Sequence, residues 1–184
     1  MLDELDAEKK ARIFELIIRR YENMIGEKEE RSISEIRQRI SPYDETIKMI
    51  SNSITKDYVP YNYETHFLTA AQRALDYIRQ IKTCKLQFTF WLTFEEIEHL
   101  KAADAMNKAL MLVAILRALG SKDAKVLVTK SGRIYVAFIS NKQQYMVNLE
   151  SGSVLANEDG IKLFENDALN YAFNDLFYEN YTEE

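Results

Sequence analysis

One stretch, DAMNKALMLVAILRALG at residues 104–120, limits the possible folds of this chain more than any other. From Ala109 to Leu119 it is apolar on almost every side, whereas a helix on a protein surface carries its apolar residues along one stripe. Such a helix has to be covered all round, so we predict that it is the central buried helix of a packed domain. Gly120 stands where a glycine commonly ends a helix.

The hydrophobic period changes from 3.6 to 2 directly after this helix. Three short runs rich in β-branched and aromatic residues follow, namely AKVLVTK, RIYVAFIS and QQYMVNL. Ser131-Gly132 separates the first two runs and Asn141-Lys142 separates the last two, which is typical of hairpin turns. We therefore predict an antiparallel sheet over residues 124–149. Helices that precede strands in this way indicate the α+β class, with a helical N-terminal half and a central helix packed on a small sheet.

Local start residues divide the first half of the chain into helices. Ser32 and Thr93 each stand three residues before a glutamate, the spacing of a capping box, and Ser41-Pro42 interrupts the helix that Ser32 begins. YDETIKMISNSI predicts another helix, and a further one is expected from about His66 to Ile81. KLQFTFWLT at 85–93 predicts a short extended piece, and a helical turn is expected near residues 159–164.

The first helix, EKKARIFELIIRRYENMI, has an apolar stripe wider than one face requires, and Gly26 is expected to end it. A stripe this wide predicts that the helix is covered by the rest of the fold or by a second chain, so a homodimer through the N-terminal helices is one expectation. The domain prediction is a helical leader, residues 1–60, packed on an α+β domain, residues 61–184, as one compact unit.

Composition narrows the classes of function and location. The chain has 184 residues, of which 47% are hydrophobic, enough for one core, and its net charge of −5 disfavours a phosphate-binding surface. We therefore expect no nucleic-acid partner. One cysteine cannot form an internal disulfide, and neither a signal-peptide run nor a membrane span is evident. These features predict a cytoplasmic protein that binds neither membranes nor cofactors.

Four motifs resemble the transglutaminase-like branch of the papain-like fold, its archaeal members especially. They are Trp91, the helix start Phe94-Glu95-Glu96, the segment Ala103-Asp104-Ala105-Met106-Asn107-Lys108-Ala109 and the helix end Leu116-Arg117-Ala118-Leu119-Gly120. The helical region before them and the terminal YAFNDLFYENY are also similar, so the resemblance covers most of residues 28–184. It implies a central helix packed on an antiparallel sheet.

The resemblance also implies a cysteine–histidine–aspartate triad, and this chain departs from it at every position. The cysteine position reads Ala105, the histidine position Arg133 and the aspartate position Asn148. A methyl group cannot attack a carbonyl, and a guanidinium stays protonated and cannot act as a base. We therefore expect a pseudoenzyme that acts as a binding or scaffolding module. We expect a protein or peptide partner to bind in the former cleft. The residues expected to line this cleft are Trp91, Asp104, Asn107, Arg133, Tyr135 and Asn148.

Other polar residues leave alternatives open. Cys84 lies between Lys82 and Lys85, which favour a thiolate, so a hydrolase that uses a relocated cysteine or a carboxylate pair is the rival hypothesis. His99 follows Glu95 by four residues, but it lacks a second histidine, and no metal site is expected. Asp104 and Asn107 are interpreted first as helix-capping residues. A cluster of arginines is expected to be a solvated helix face: Arg31, Arg37 and Arg39.

Overall fold

The computed structural model describes residues 7–85 and 89–182 and divides the chain into two compact units. The first comprises residues up to Arg31 together with the segment that ends at Trp91, and the second comprises the rest. The predicted boundary near residue 60 therefore differs from the observed one after Arg31. The helices at residues 33–38 and 45–55 belong to the larger unit, and the second of them packs on its central helix.

The first unit contains one long helix, α1, which runs from Ala7 to Glu29. Gly26 does not end it, which corrects the expectation from sequence. An isolated glycine inside a helix costs only about 1 kcal/mol relative to alanine, and the helix continues one turn beyond it. No residue of α1 is buried. The Trp91 indole N–H donates to the backbone oxygen of Glu29 at 2.8 Å within the same unit.

Local capping explains where the helices of the second unit begin. Ser32 and Thr93 form the two predicted capping boxes, in which the cap hydroxyl accepts from the third backbone N–H and the glutamate side chain bonds back to the cap. Asp44, Asn62 and Asp104 cap three further helix starts with their side chains. The helices are α2 Ile33–Gln38, α3 Glu45–Thr55, α4 Tyr63–Gln80, α5 Phe94–Leu100 and α6 Ala105–Ala118.

Helix α6 is the centre of the second unit, as the sequence predicts. It packs against α3 and α4 and against two strands of the sheet, so every side of it is covered. Its residues from Asn107 to Leu116 are all buried. The four predicted core residues are buried as well: Leu112, Ile115, Leu116 and Leu119.

The strands of the main sheet are β3 Lys125–Thr129, β4 Ile134–Ser140, β5 Gln143–Asn148, β6 Val154–Ala156, β7 Leu169–Phe173 and β8 Tyr178–Asn180. All six are antiparallel to their neighbours, in the order β6-β5-β4-β3-β7-β8. The predicted meander forms its middle, and the last turn of this meander has positive φ at both Asn141 and Lys142, as a tight hairpin requires. A seventh helix, α7 at Glu158–Asn166, confirms the predicted helical turn.

The two faces of this sheet are covered by different helices. Phe138 of β4 meets Phe67 of α4 edge-on, with ring centroids 5.9 Å apart, so the alternate residues that share its face point towards the helical layer. The neighbouring residue in the pleat, Ala137, points the other way. On that side α7 contributes Leu163 and Phe164 to a cluster with Leu127, Tyr135, Ala137, Met146 and Ala172.

A second, very small sheet joins the end of α4 to the start of α6. Its strands are β1 Lys82–Thr83 and β2 Ala102–Ala103, and they pair in parallel. The predicted extended piece at 85–93 lies partly outside the described residues, at 86–88, and its described part from 89 to 93 contains no strand. Among the helices that the structure describes, none has the length and apolar character needed to cross a membrane.

Candidate functional site

The start of α6 is an ordered helix cap that carries no nucleophile. The Asp104 carboxylate accepts the backbone N–H of Asn107 at 2.7 Å and the Asn107 side-chain amide at 3.0 Å. An aspartate in this place satisfies helix N–H groups and complements the helix dipole. Ala105 is the first residue of the helix and is half-buried. A methyl group thus stands where the resemblance implies a thiol.

Asn107 links this cap to the segment that precedes α5. Its side chain is only 1% exposed, and its Oδ1 accepts the backbone N–H of Leu92 at 3.0 Å. The amide therefore bridges Asp104 and Leu92 inside the core. The capping role expected for Asp104 is confirmed, whereas the Asn107 side chain forms this bridge and does not cap the helix.

A cavity of about 290 Å³ lies beside this bridge. It combines an apolar part with hydroxyl, amide, carboxylate and guanidinium groups, which is the usual make-up of a site for a small polar-apolar ligand. Its walls come from the end of α2, the start of α3, the start of α5 and the first turns of α6. The lining residues are Gln38, Arg39, Ser41, Asp44, Leu92, Thr93, Phe94, Asn107 and Leu110.

Arg39 supplies the positive charge of this cavity. Its guanidinium donates to the backbone oxygen of Leu92 at 2.8 Å, which holds it at the cavity wall. This charge also acts on Glu96. The pKa of Glu96 is lowered mainly by hydrogen bonds from the Thr93 backbone N–H and the Thr93 hydroxyl, and Arg39 lowers it further. Asp44 stands in the same lining, so the cavity contains one cation and one carboxylate.

The arginine cluster is not the solvated face that the sequence suggests. Arg37 and Arg39 are half-buried, and Arg37 donates to the backbone oxygens of Asn174 at 3.0 Å and Asp175 at 3.3 Å. Both side chains lie along protein surface and hold carbonyl groups of distant segments. Arg31 belongs to the other unit, where it donates to the backbone oxygen of Lys28.

A buried lysine lies on the other side of the α6 start. Lys108 is 4% exposed, and its Nζ donates to the Ile81 backbone oxygen and to the Thr83 hydroxyl, each at 3.0 Å. Burial lowers the pKa of Lys108 below its ordinary value, while nearby Cys84 acts in the opposite direction. Cys84 is half-buried, and its backbone N–H donates to the backbone oxygen of Ala103 at 3.0 Å.

The structure does not bring the six predicted cleft residues together. Tyr135 is 2% exposed and packs edge-on against Phe164 of α7, on the sheet face opposite the helical layer. Asn148 is paired with Tyr135 across β4 and β5, and its side-chain oxygen accepts backbone N–H groups of the following turn. Arg133 is exposed, with its Nε 3.9 Å from a carboxylate oxygen of Asp167, just after α7. Asp104 and Asn107 are the two that do meet.

Trp91, another of the six, belongs to the smaller unit. His99 and Glu95 are both exposed on α5. Across residues 7–85 and 89–182, no three side chains of histidine, cysteine, aspartate or glutamate are grouped as metal ligands would be.

Sequence reasoning missed most of the cavity because its walls are brought together only by the packing of four helix ends. Of the nine lining residues, Asn107 alone was a candidate. The two capping boxes were visible, but nothing in them indicates that the helices they begin share a wall. Arg39, beside the Ser41-Pro42 break, carried no motif that distinguishes it from a surface arginine.

The fold thus defines a mixed α+β protein with a six-stranded antiparallel sheet. Comparison of the chain with protein-family models, with curated proteins and with solved structures found no match.

Proposed function

We propose that this chain is a non-catalytic binding module with a transglutaminase-like fold, and that it holds a short peptide segment of a protein partner in the cavity beside α6. The observation that carries the proposal is the cavity itself. It places Arg39, Asp44 and Ser41 around apolar Leu92 and Leu110, next to a helix start that has a methyl group at Ala105.

The size and lining of the cavity suit one or two residues of a peptide. At about 290 Å³ it is at the small end of the range for ligand sites, about 300–1,000 Å³. An apolar side chain would pack on Leu92, Phe94 and Leu110. A backbone carbonyl or a carboxylate would take the Arg39 side, and a peptide N–H would face Asp44 or Ser41. A peptide supplies all three kinds of group over a short length.

Selection from a phage-displayed library of random dodecapeptides tests this proposal. Peptides selected on the full chain are expected to bind more weakly, by about tenfold or more, when Arg39→Gln removes the charge. Ser41→Phe, which fills the cavity and keeps the charge, is expected to do the same. Lys130→Gln removes an exposed cation outside the cavity and should leave the Kd unchanged. Failure to select any peptide would refute the proposal, and so would binding by the two cavity variants that is as tight as binding by the wild type.

One observation favours the rival hypothesis of relocated chemistry. The pairing of β1 with β2 continues through the Cys84 N–H to Ala103, so the cysteine backbone runs beside the residues that precede Ala105. Assays with thioester and peptide substrates test this hydrolase hypothesis directly. Hydrolysis by the wild type that iodoacetamide and Cys84→Ser both abolish would establish it and overturn the non-catalytic proposal.

Restoring the nucleophile alone is expected to produce a reactive thiol without turnover. In a Cys84→Ser background, Ala105→Cys places a thiol at the first residue of α6, where the helix dipole favours a thiolate. Iodoacetamide should label it faster than it labels Cys84 in the wild type. No acyl transfer should follow, because no base accepts the proton and returns it to the leaving group.

Adding Arg133→His and Asn148→Asp to this variant should not create activity either. Both positions are associated with the α7 side of the sheet, whereas α6 packs on the other side. Acyl transfer by the triple variant above the rate of the single one would show that the three positions converge and would contradict this prediction.

A further inference from the structure

The Leu92 side of the cavity beside α6 is an irregular segment that side chains hold in place. Residues 89–93 contain no strand, so no sheet fixes the position of their backbone. The Leu92 backbone N–H donates to Oδ1 of Asn107 at 3.0 Å, and the Leu92 backbone oxygen accepts from Nη2 of Arg39 at 2.8 Å. Both backbone polar groups of Leu92 therefore bind side chains that line the same cavity.

These two hydrogen bonds belong to a continuous chain along one side of the cavity. The chain begins at the Asp104 carboxylate, whose Oδ1 accepts the Asn107 side-chain amide at 3.0 Å and the Asn107 backbone N–H at 2.7 Å. It continues through Oδ1 of Asn107 to Leu92 and ends at the guanidinium of Arg39. The N-cap of α6 is thus connected with the positive charge of the cavity.

Asn107 is the central member of this chain and the most buried one. It is 1% exposed, whereas Asp104, Leu92 and Arg39 are half-buried. A buried polar side chain is costly unless its donors and acceptors are paired. The amide meets this condition because it accepts from Leu92 and donates to Asp104. A carboxylate of the same length offers acceptors only, and a serine hydroxyl is too short to bridge the two neighbours.

We propose that Asn107 is the positioning residue of the peptide site. It fixes the Leu92 wall and, through the Leu92 backbone oxygen, the guanidinium of Arg39, and it acts on the peptide through these two residues. This inference rests on the proposed function, because it assigns a role within the same cavity. A fully paired buried network holds its members in one arrangement, and a site whose supporting side chains let it move by about 1 Å loses its function.

Two substitutions at Asn107 test this role. Asn107→Ser removes both side-chain bonds without introducing a charge. Asn107→Asp keeps an acceptor for the Leu92 N–H but places a second carboxylate against that of Asp104. Peptides selected on the wild type are expected to bind each variant about tenfold more weakly, or worse, at about pH 8. Far-ultraviolet circular dichroism establishes that each variant is folded under the conditions of binding.

Asn174→Ser is the matched control for loss of a buried asparagine. Asn174 is fully buried in the larger unit and does not line the cavity. Its side chain donates to the Ala124 backbone oxygen at 2.9 Å and accepts the backbone N–H groups of Leu176 and Phe177. The substitution should lower stability in urea denaturation, but the Kd for the selected peptides should stay that of the wild type.

Acidification separates positioning from a general loss of stability. In Asn107→Asp, burial and the Asp104 carboxylate about 3 Å away raise the pKa of the introduced carboxyl, so it binds a proton as the pH falls. That proton restores a donor towards Asp104, while the second oxygen still accepts the Leu92 N–H. The Kd of Asn107→Asp should therefore recover to within about threefold of the wild-type value at about pH 5, and that of Asn107→Ser should not. The wild type measured at both pH values accounts for the titration of the other charged groups around the cavity, Arg39, Asp44 and Glu96.

Several outcomes would overturn this inference and leave the proposed function in place. They are wild-type affinity of folded Asn107→Ser, affinity of Asn107→Asp that does not recover on acidification, and a loss of affinity in Asn174→Ser equal to that in Asn107→Ser. If the buried charge prevents Asn107→Asp from folding at the higher pH, the neutral Asn107→Ser decides the question against its Asn174→Ser control. If the wild type selects no peptide, the proposed function fails and this inference fails with it.

Discussion

Replacement of Leu116 by alanine is expected to lower the free energy of unfolding by about 2–5 kcal/mol. Leu116 is fully buried in α6, which is enclosed by α3, α4 and the sheet. The substitution removes three buried carbon atoms and leaves a cavity that neighbours on every side would have to fill. Because a helix packed on all sides cannot move towards one neighbour without leaving another, little relaxation is expected. Urea denaturation followed by far-ultraviolet circular dichroism measures the loss.

Leu100→Ala provides the matched comparison. The same atoms are removed, but Leu100 is 57% exposed at the last turn of α5, so the change should stay below about 0.5 kcal/mol. A loss below half a kcal/mol for Leu116→Ala would show that α6 is not the central helix of the core.

The second large effect is expected at the ion pair between Arg117 and Asp175. The guanidinium binds the carboxylate with two bonds, Nε to Oδ1 at 2.6 Å and Nη2 to Oδ2 at 2.9 Å, and its Nη1 donates to the Ser121 backbone oxygen. The hydrogen bond to Asp175 is the largest cause of the raised pKa of Arg117. This pair ties the last turn of α6 to the turn between β7 and β8.

Asp175→Asn is expected to lower the free energy of unfolding by about 2–3 kcal/mol, less than the loss for a fully buried pair. Both side chains are mostly buried, at 11% and 18% exposed, so the substitution leaves a poorly hydrated guanidinium without its counter-charge. Asp76→Asn breaks the exposed pair with Arg79, at 44% and 56% exposed, and should change stability by less than about 0.5 kcal/mol. Equal effects of the two substitutions in urea denaturation would contradict the assignment of Arg117–Asp175 as an anchor.

The sequence by itself determined the elements whose cause is local. Ser32 and Thr93 begin helices because the hydroxyl and the glutamate three residues on satisfy N–H groups that have no partner within the helix. The burial of α6 follows from its composition, since an apolar surface on all sides has to be removed from water. The β3–β5 meander follows from its period of two and from turns that accept positive φ at Gly132 and Asn141.

Only the tertiary structure decided which parts meet. Strand β8 has only three residues, all exposed, which is too short for a periodic pattern. Strand β7 pairs with β3, which lies some forty residues earlier in the chain, and no local pattern predicts a partner at that distance. The face on which Tyr135 lies depends on register, because a shift of one residue in a strand moves a side chain to the other face. The cavity likewise exists because the ends of α2, α3 and α5 converge on Asn107 of α6. Long-range packing brings these segments together, and no local sequence pattern encodes it.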